Sequence, residues 1–286
     1  MEIFQYLFLL IFSNRSMYMN LITRRNTPDF AKDTVYRFMK MIQINWIRFT
    51  TILSTRIIRD AILPLNSEDR ANVLIIDDSM FERNRSKKVE LLAKVYDHAK
   101  HKYRFGFRML ALIWSDGSTF LPVNSVLLST ENRKNRINEA TEVDKRTVGY
   151  KRKEYLCLIS TDVNLDENEI IRIYGKRWDI DVFFKVCKSY LNLSKECNSL
   201  SYDAMTAHTA VVFTRYMMLS LESRESNDNR SLRELFLYFS DEMSDITWIQ
   251  AFQMLLQMFR TMLLDNTELS DEKINEIQQQ KGGLSK

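Results

Sequence analysis

The spacing of apolar and polar positions divides the chain into a helical start, a strand-rich middle and a helical end. Phe4-Gln5-Tyr6-Leu7-Phe8-Leu9-Leu10-Ile11-Phe12 is the most apolar stretch. A membrane span needs about 20 such residues. The run also lacks a basic leader and a small-residue cleavage site, so a buried helix is expected rather than a signal peptide or an anchor. Met17, Met19 and Leu21 follow, then a polar break over 23–33 with a turn at Thr27-Pro28-Asp29. Val35, Phe38, Met39, Ile42 and Trp46 recur at helical spacing, and a second apolar helix is expected from Thr50 to Leu63, closed by Pro64.

At Val73-Leu74-Ile75-Ile76 the pattern changes to a short continuous apolar run that meets Asp77-Asp78. Such a run fits a strand buried on both faces, although a helix segment of that length would look the same. Phe105–Trp114 and Thr119–Leu128 are two further strand candidates. The Asp-Gly pair in Ser115-Asp116-Gly117-Ser118 predicts a hairpin between them. A charged segment spans 131–153, Tyr155–Ile159 reads as a fourth strand, and Asn164 with Glu167 forms a capping box for the next helix. From Asp203 only helices are expected: Asp203–Leu221, Ser231–Met243, Thr247–Leu264 and Ser270–Gln280. Their Met- and Phe-rich faces (Met217, Met218, Phe236, Phe239, Phe252, Met254, Met258) suit packing between helices. Helices, then a mostly antiparallel sheet, then helices is an α+β order.

Composition narrows the picture modestly. With 286 residues there is room for one large domain or two ordinary ones, and 45% hydrophobic with 27% charged residues excludes wholesale disorder. Six glycines and three prolines are too few for the many tight turns of an all-β sandwich or barrel. Cys157, Cys187 and Cys197 are widely spaced, which predicts reduced thiols in a cytoplasmic protein and neither a disulfide framework nor a zinc site. His98, His101 and His208 show no ligand spacing with them. A net charge of +4 decides nothing alone. Its distribution says more, because Arg83, Arg85, Lys87, Lys88, Lys94, Lys100, Lys102, Arg104 and Arg108 are interleaved with Tyr96, Tyr103, Phe105 and Phe107. That mixture reads either as a nucleic-acid contact or as a solvated sheet edge.

Two places can carry chemistry. Asp77 ends the first apolar strand, where a rigid sheet could hold a metal-ligating carboxylate; the plainer reading is the start of a polar loop. The second place is a helix expected over 170–191. At about 100° per residue, Tyr174, Arg177, Asp181 and Lys188 fall within an arc of about 60°. Ile180, Val182, Phe183, Val186, Cys187 and Tyr190 occupy the opposite side. Arg177 and Lys185 lie four residues either side of Asp181, so a solvated face with ion pairs explains the pattern. A metal-ligating acid flanked by phosphate-binding cations explains it as well.

The spacing Tyr174-x-x-Arg177-x-x-x-Asp181-x-x-x-x-x-x-Lys188 resembles the Tyr-Arg-Glu-Lys signature of DDE transposases of the insertion-sequence-four type, with Asp in place of Glu. Neighbouring text is similar too: Ile171-Arg172-Ile173-Tyr174-Gly175-Lys176-Arg177-Trp178, Asn198-Ser199-Leu200-Ser201-Tyr202, Ile76-Asp77-Asp78-Ser79, Arg85-Ser86-Lys87-Lys88 and Trp114-Ser115-Asp116-Gly117. The resemblance implies a ribonuclease-H-like mixed sheet flanked by helices, in which three acids hold two Mg²⁺ ions for DNA cleavage and strand transfer. Asp77 would be the first acid and Asp181 the third. Tyr174, Arg177 and Lys188, with Arg85, Lys87 and Lys88, would contact DNA at the terminal inverted repeats of a mobile element, in a protein able to form a homodimer and with no membrane association.

The departures from that family matter. Gly149-Tyr150-Lys151-Arg152-Lys153 runs almost directly into the strand before the signature helix, so the second Asp and the β-rich insertion are expected to be missing between about 146 and 155. The start is expected to be shortened. Asp162 is the only acid in a similar context and reads as a helix-start residue. The expected organisation is a helical segment over 1–70, an incomplete ribonuclease-H-like core over 71–200 and a helical segment over 201–286. The expected function is a transposase impaired by loss of the second Asp and by the shorter acid at 181. The alternatives are a non-catalytic DNA-binding remnant and the unfolded product of a pseudogene.

Overall fold

The computed structural model describes residues 2–13, 17, 19, 28–66, 72–98, 100–130, 132, 134–139, 178–193, 195, 197–225 and 230–245. Helix α1 (Glu2–Leu9) runs into a single 3-10 turn (Leu10–Ser13), and every residue from Tyr6 to Phe12 is buried. The apolar start is therefore a core helix. No helix among the described residues is long and apolar enough to cross a membrane.

Helix α2 (Lys32–Met39) buries Val35 and Met39, and α3 (Trp46–Ile57) begins after a turn. The helical spacing from Val35 to Trp46 therefore does not mark one helix. Asn45 explains the break: its side-chain oxygen accepts the Arg48 N–H at 2.9 Å, which caps a new helix instead of continuing the old one. Met41 and Ile42 are left exposed in the turn. Trp46 packs on Phe38 and Phe49 edge to face and on Phe4 stacked, which ties α1, α2 and α3 into one aromatic cluster. Beyond Ile57 the helix widens into a π turn (Ile58–Ile62) and ends in a 3-10 turn holding Pro64.

The sheet has four strands: β1 (Val73–Glu82), β2 (Ala93–Asp97), β3 (Lys102–Ser115) and β4 (Phe120–Leu128). All described pairings are antiparallel. The long β3 is the spine, with β1 along one edge and β2 followed by β4 along the other. The expected β3–β4 hairpin is present. Its Asp116 Oδ1 accepts the N–H groups of Ser118 (2.8 Å) and Thr119 (2.6 Å), and Gly117 takes the positive φ of 86° that the turn demands. Pro122 of β4 sits at the irregularity opposite Leu112/Ile113, where a missing N–H costs least. Strand β2 was not foreseen, because its charged and aromatic residues hide the alternation.

Strand β1 departs from expectation in two ways. It continues through Asp77-Asp78 for four more residues, so that pair does not begin a loop. It is also not buried on both faces among the described residues. Leu74 and Ile76 are 65% and 64% exposed, whereas Phe107, Met109, Ala111 and Ile113, on the face shared with Ile75, Asp77, Ser79 and Phe81, are at most 1% exposed. Among the described residues β1 lies at the sheet edge, and its odd-numbered face is the one that meets the helix Trp178–Ser189, through Ser79 and Lys188.

Those helices are α4 (Trp178–Ser189), α5 (Tyr202–Glu225) and α6 (Leu232–Asp245). Helix α5 is buried nearly all round, as its uniformly apolar character requires, and it packs on α1, α2, α3, α6 and β4. Met217 and Phe236 lie in the core between helices, as expected. Cys187 and Cys197 are free and buried, and burial pushes the Cys187 thiol pKa well up. Cys157, the strand expected over Tyr155–Ile159, Asp162, the capping box at Asn164 and the helices expected over 247–264 and 270–280 lie outside the described residues.

Glu82, at the end of β1, accepts Lys100 Nζ at 2.7 Å and also pairs with Arg104. Burial works to raise its pKa, but the two cations outweigh it and hold the carboxyl below its ordinary value of 4.5. A carboxylate lowered on folding contributes stability in full above that ordinary value and loses it as pH falls through the lowered one. Replacing Glu82 by Gln should therefore make the acid limb of a urea-stability profile shallower, with little change in its shape at neutral pH.

Gly106 sets a second constraint. Its φ is +157°, and a Cβ placed there would press into the Phe81 carbonyl and come within 2.8 Å of Met80 Cε. Gly106→Ala should lower unfolding free energy by about 3 kcal/mol in denaturant titration. A loss under about 1 kcal/mol would show that β1 and β3 are not this close.

Candidate active site

The site grows from two elements, β1 and α4. Alternation along β1 separates the two adjacent acids. Asp78 points to the exposed face, where Arg108 Nη1 binds its Oδ2 at 2.9 Å. Asp77 points to the helix-covered face, and its Oδ1 accepts the Asp78 N–H at 2.9 Å. The period of two thus leaves Asp77, not Asp78, on the side that α4 approaches.

Helix α4 rests on Ile180, Phe183, Phe184, Val186 and Cys187, all buried, with Phe183 edge to face against Phe213 and Tyr216 of α5. The predicted apolar arc errs at Val182, which is 55% exposed, while Phe184 is buried in its place. Asp181 and Lys185 are exposed, and no ion pair between them is found among the described residues, while Arg177, the other expected i,i+4 partner, lies outside the described residues. The helix ends where Asn192 adopts a positive φ of 56°, with Leu191 and Leu193 N–H groups bonded back to Val186 and Cys187 carbonyls.

Lys188 joins the two elements. Its ammonium donates to Ser79 Oγ at 2.6 Å, two residues along β1 from Asp77 and on the same face. Burial lowers the Lys188 pKa, partly offset by Asp97 and Glu82, which favour its charge. Around this contact lies a cleft of about 1180 Å³ lined by Asp77, Asp181, Lys188 and Arg85. Four of the residues singled out from sequence therefore share one cavity. Lys87 and Lys88 are exposed on the same connection as Arg85 but do not line the cleft, and Tyr174 and Arg177 lie outside the described residues.

The cleft also contains residues to which sequence alone assigned no individual role in the site. Ser79 could have been found from β1 alternation alone. Tyr96 and Lys100, noted in the basic and aromatic stretch, come with His98 from the β2–β3 hairpin, and Lys195 and Asn198 come from the loop after α4. The basic stretch must also be corrected. Lys100, Arg104 and Arg108 are engaged by Glu82 or Asp78, and Arg83 is buried with its guanidinium 4.8 Å from the centre of the Phe81 ring. Arg85, Lys87, Lys88, Lys94 and Lys102 remain exposed.

Asp77 and Asp181 offer carboxylate oxygens, the donors that hard divalent cations take. Among the described residues, however, no group of three or more His, Cys, Asp or Glu side chains is gathered closely enough to hold a metal ion. The donor chemistry fits, and the donor set formed by the described residues is incomplete.

The cleft thus places a strand carboxylate and a helix carboxylate along one cavity edged by cations. The sequence model of one family, described as DDE superfamily endonuclease, matches residues 5–169, more than half of the chain. The protein belongs to the DDE superfamily of endonucleases, and its small antiparallel sheet with flanking helices accords with their ribonuclease-H-like fold. The matched region contains the whole described sheet and Asp77, and it ends before α4 and Asp181. No curated protein and no solved structure matches the chain. Endonucleases of this superfamily act on DNA and generally use divalent metal ions.

Lys188 gives a test of this geometry. A lysine whose pKa is lowered on folding loses its proton before a solvent-exposed lysine does. Affinity for a DNA duplex, followed by fluorescence anisotropy, should therefore decline as pH rises through a value below the ordinary 10.5. Lys188→Arg should abolish that decline while keeping neutral-pH affinity. An unchanged profile in Lys188→Arg would show that Lys188 does not face the DNA.

Proposed function

We propose that this chain is a DNA transposase of the insertion-sequence-four type, in which Asp77 and Asp181 act on one phosphodiester and catalysis is weakened by the absence of a second Asp. The observation that supports the reading best is the sharing of one cleft by Asp77, Asp181 and Lys188, with Lys188 bonded to Ser79 beside Asp77. Asp77 and Asp181 would hold Mg²⁺, which supplies activation of water or of a DNA 3′-hydroxyl and stabilises the leaving oxygen. The chain's own residues do the rest. Lys188 and Arg85 bind and orient the phosphate, and Lys87 and Lys88 extend the cationic track away from the cleft. Tyr174 and Arg177 complete the phosphate contacts in this reading.

Asp at position 181 is one methylene shorter than Glu, about 1.5 Å, while productive geometry tolerates about 0.5 Å. Together with the missing acid, this weakens chemistry more than binding. The absence of a second Asp from the sequence between about 146 and 155 also leaves a second reading, a protein that binds the ends of its element without cutting them.

A supercoiled plasmid carrying the DNA that flanks the chain's own coding sequence separates the two. The expected result is binding in a gel shift with slow Mg²⁺-dependent nicking that Asp77→Ala abolishes and Lys185→Ala leaves intact. Binding without nicking selects the second reading. Nicking that survives Asp77→Ala places the chemistry elsewhere and overturns the proposal.

A further inference from the structure

The β2–β3 hairpin projects from the sheet beside the cleft and has one face that the proposed chemistry leaves unused. Lys94, Tyr96, Tyr103 and Phe105 share that face, because Tyr96 pairs with Tyr103 and Lys94 with Phe105 across the two strands. Tyr103 is 57% exposed and Phe105 is 38% exposed, a large apolar outlay for a hairpin tip. The Tyr96 and Tyr103 rings meet edge to face with centroids 5.2 Å apart, and the His98 ring lies 5.1 Å from Tyr96. Lys94 Nζ sits 5.3 Å from the Tyr103 centroid. Among the described residues Lys94 forms no ion pair, in contrast to Lys100 and Arg104, which Glu82 engages. Lys102 pairs in register with Asp97 and lies on the Arg104 face of the hairpin.

The hairpin is continuous with the cleft. Tyr96, His98 and Lys100 line the same cavity as Asp77 and Asp181, and Arg108 Nη2 donates to the Tyr96 carbonyl at 3.1 Å, fixing the hairpin to the neighbouring stretch of β3. A strand whose phosphodiester reaches Asp77 would therefore have neighbouring nucleotides within reach of the hairpin. Exposed ring faces with an adjacent uncommitted cation match unpaired bases, since every base has a flat face and its backbone a negative charge. A paired duplex hides its base faces and offers this surface only phosphates.

We propose that the Tyr96–Tyr103 face stacks the unpaired bases of a single DNA strand at the mouth of the cleft, so that the protein favours DNA ends with separated strands. The proposal rests on the DNA reading above. Lys94, on the same face, holds the backbone of that strand, and Tyr103 supplies the stacking platform.

Two fluorescein-labelled probes test it by anisotropy with the full chain: a blunt duplex of about 20 base pairs, and the same duplex with about four unpaired thymidines at one end. The intact protein should bind the tailed probe about tenfold more tightly. Tyr103→Ala should remove that preference and keep the blunt-duplex affinity, while Tyr103→Phe should retain the preference because stacking needs the ring and not the hydroxyl. Placing 2-aminopurine in the tail adds a direct reading, with fluorescence quenched by the intact protein and by Tyr103→Phe but not by Tyr103→Ala. Retention of the preference in Tyr103→Ala, or equal weakening of both probes, overturns the stacking proposal while the DNA reading stands. Failure of the intact protein to bind either probe overturns both.

Discussion

The guanidinium of Arg215 holds the architecture at its centre. It lies on α5 at 1% exposure, donating to the carbonyls of Leu7 and Phe8 at the end of α1 and to that of Leu191 just beyond α4. A buried cation costs several kcal/mol unless its hydrogen-bonding needs are met. Carbonyls at helix C-termini meet them well, because they lack intrahelical donors and carry the negative end of the helix dipole. One side chain thereby satisfies two helix ends and fixes α1 and α4 against α5. His208 reinforces the same corner through the Asn192 carbonyl, 3.2 Å away.

Once α4 is held in this way, the sheet decides which acid it meets. Side chains alternate along β1, so Asp77 and Ser79 face the helix while Asp78 turns away to Arg108. Lys188 closes the contact from the helix side. The candidate site thus depends on two periodicities coming into phase, two along the strand and 3.6 along the helix. Gly106 lets β3 approach β1 closely enough for that phase to hold.

Much of this was legible from sequence wherever a residue's neighbours along the chain determine its place. The apolar start, the Asp-Gly hairpin, α5 and the common arc of Asp181 and Lys188 follow from local pattern. Other features depend on partners distant in sequence. Exposure of Leu74 and Ile76 depends on what packs over β1, which four apolar letters do not say. The turn before Trp46 depends on one Asn side chain outcompeting helical continuation. Strand β2 is held to β3 by Arg104 beside Asp97 and by Arg108 on the Tyr96 carbonyl, so its own charged letters masked it. The engagement of Lys100, Arg104 and Arg108 with acids likewise removed cations that a count of basic residues would have given to DNA. At the site, Asp77 and Asp181 emerged from motif resemblance, whereas the place of Ser79, Tyr96 and Asn198 in the same cleft needed the three-dimensional arrangement.

The central claim is that Asp77 and Asp181, carried by elements about a hundred residues apart in sequence, act on the same cation. Calorimetric titration of Mn²⁺ into the intact protein, Asp77→Asn, Asp181→Asn and the double variant measures this directly, because groups that share one ligand are not additive. The account predicts that either single change weakens binding nearly as much as both together. Independent losses that simply add, or a single change with no effect, would contradict it.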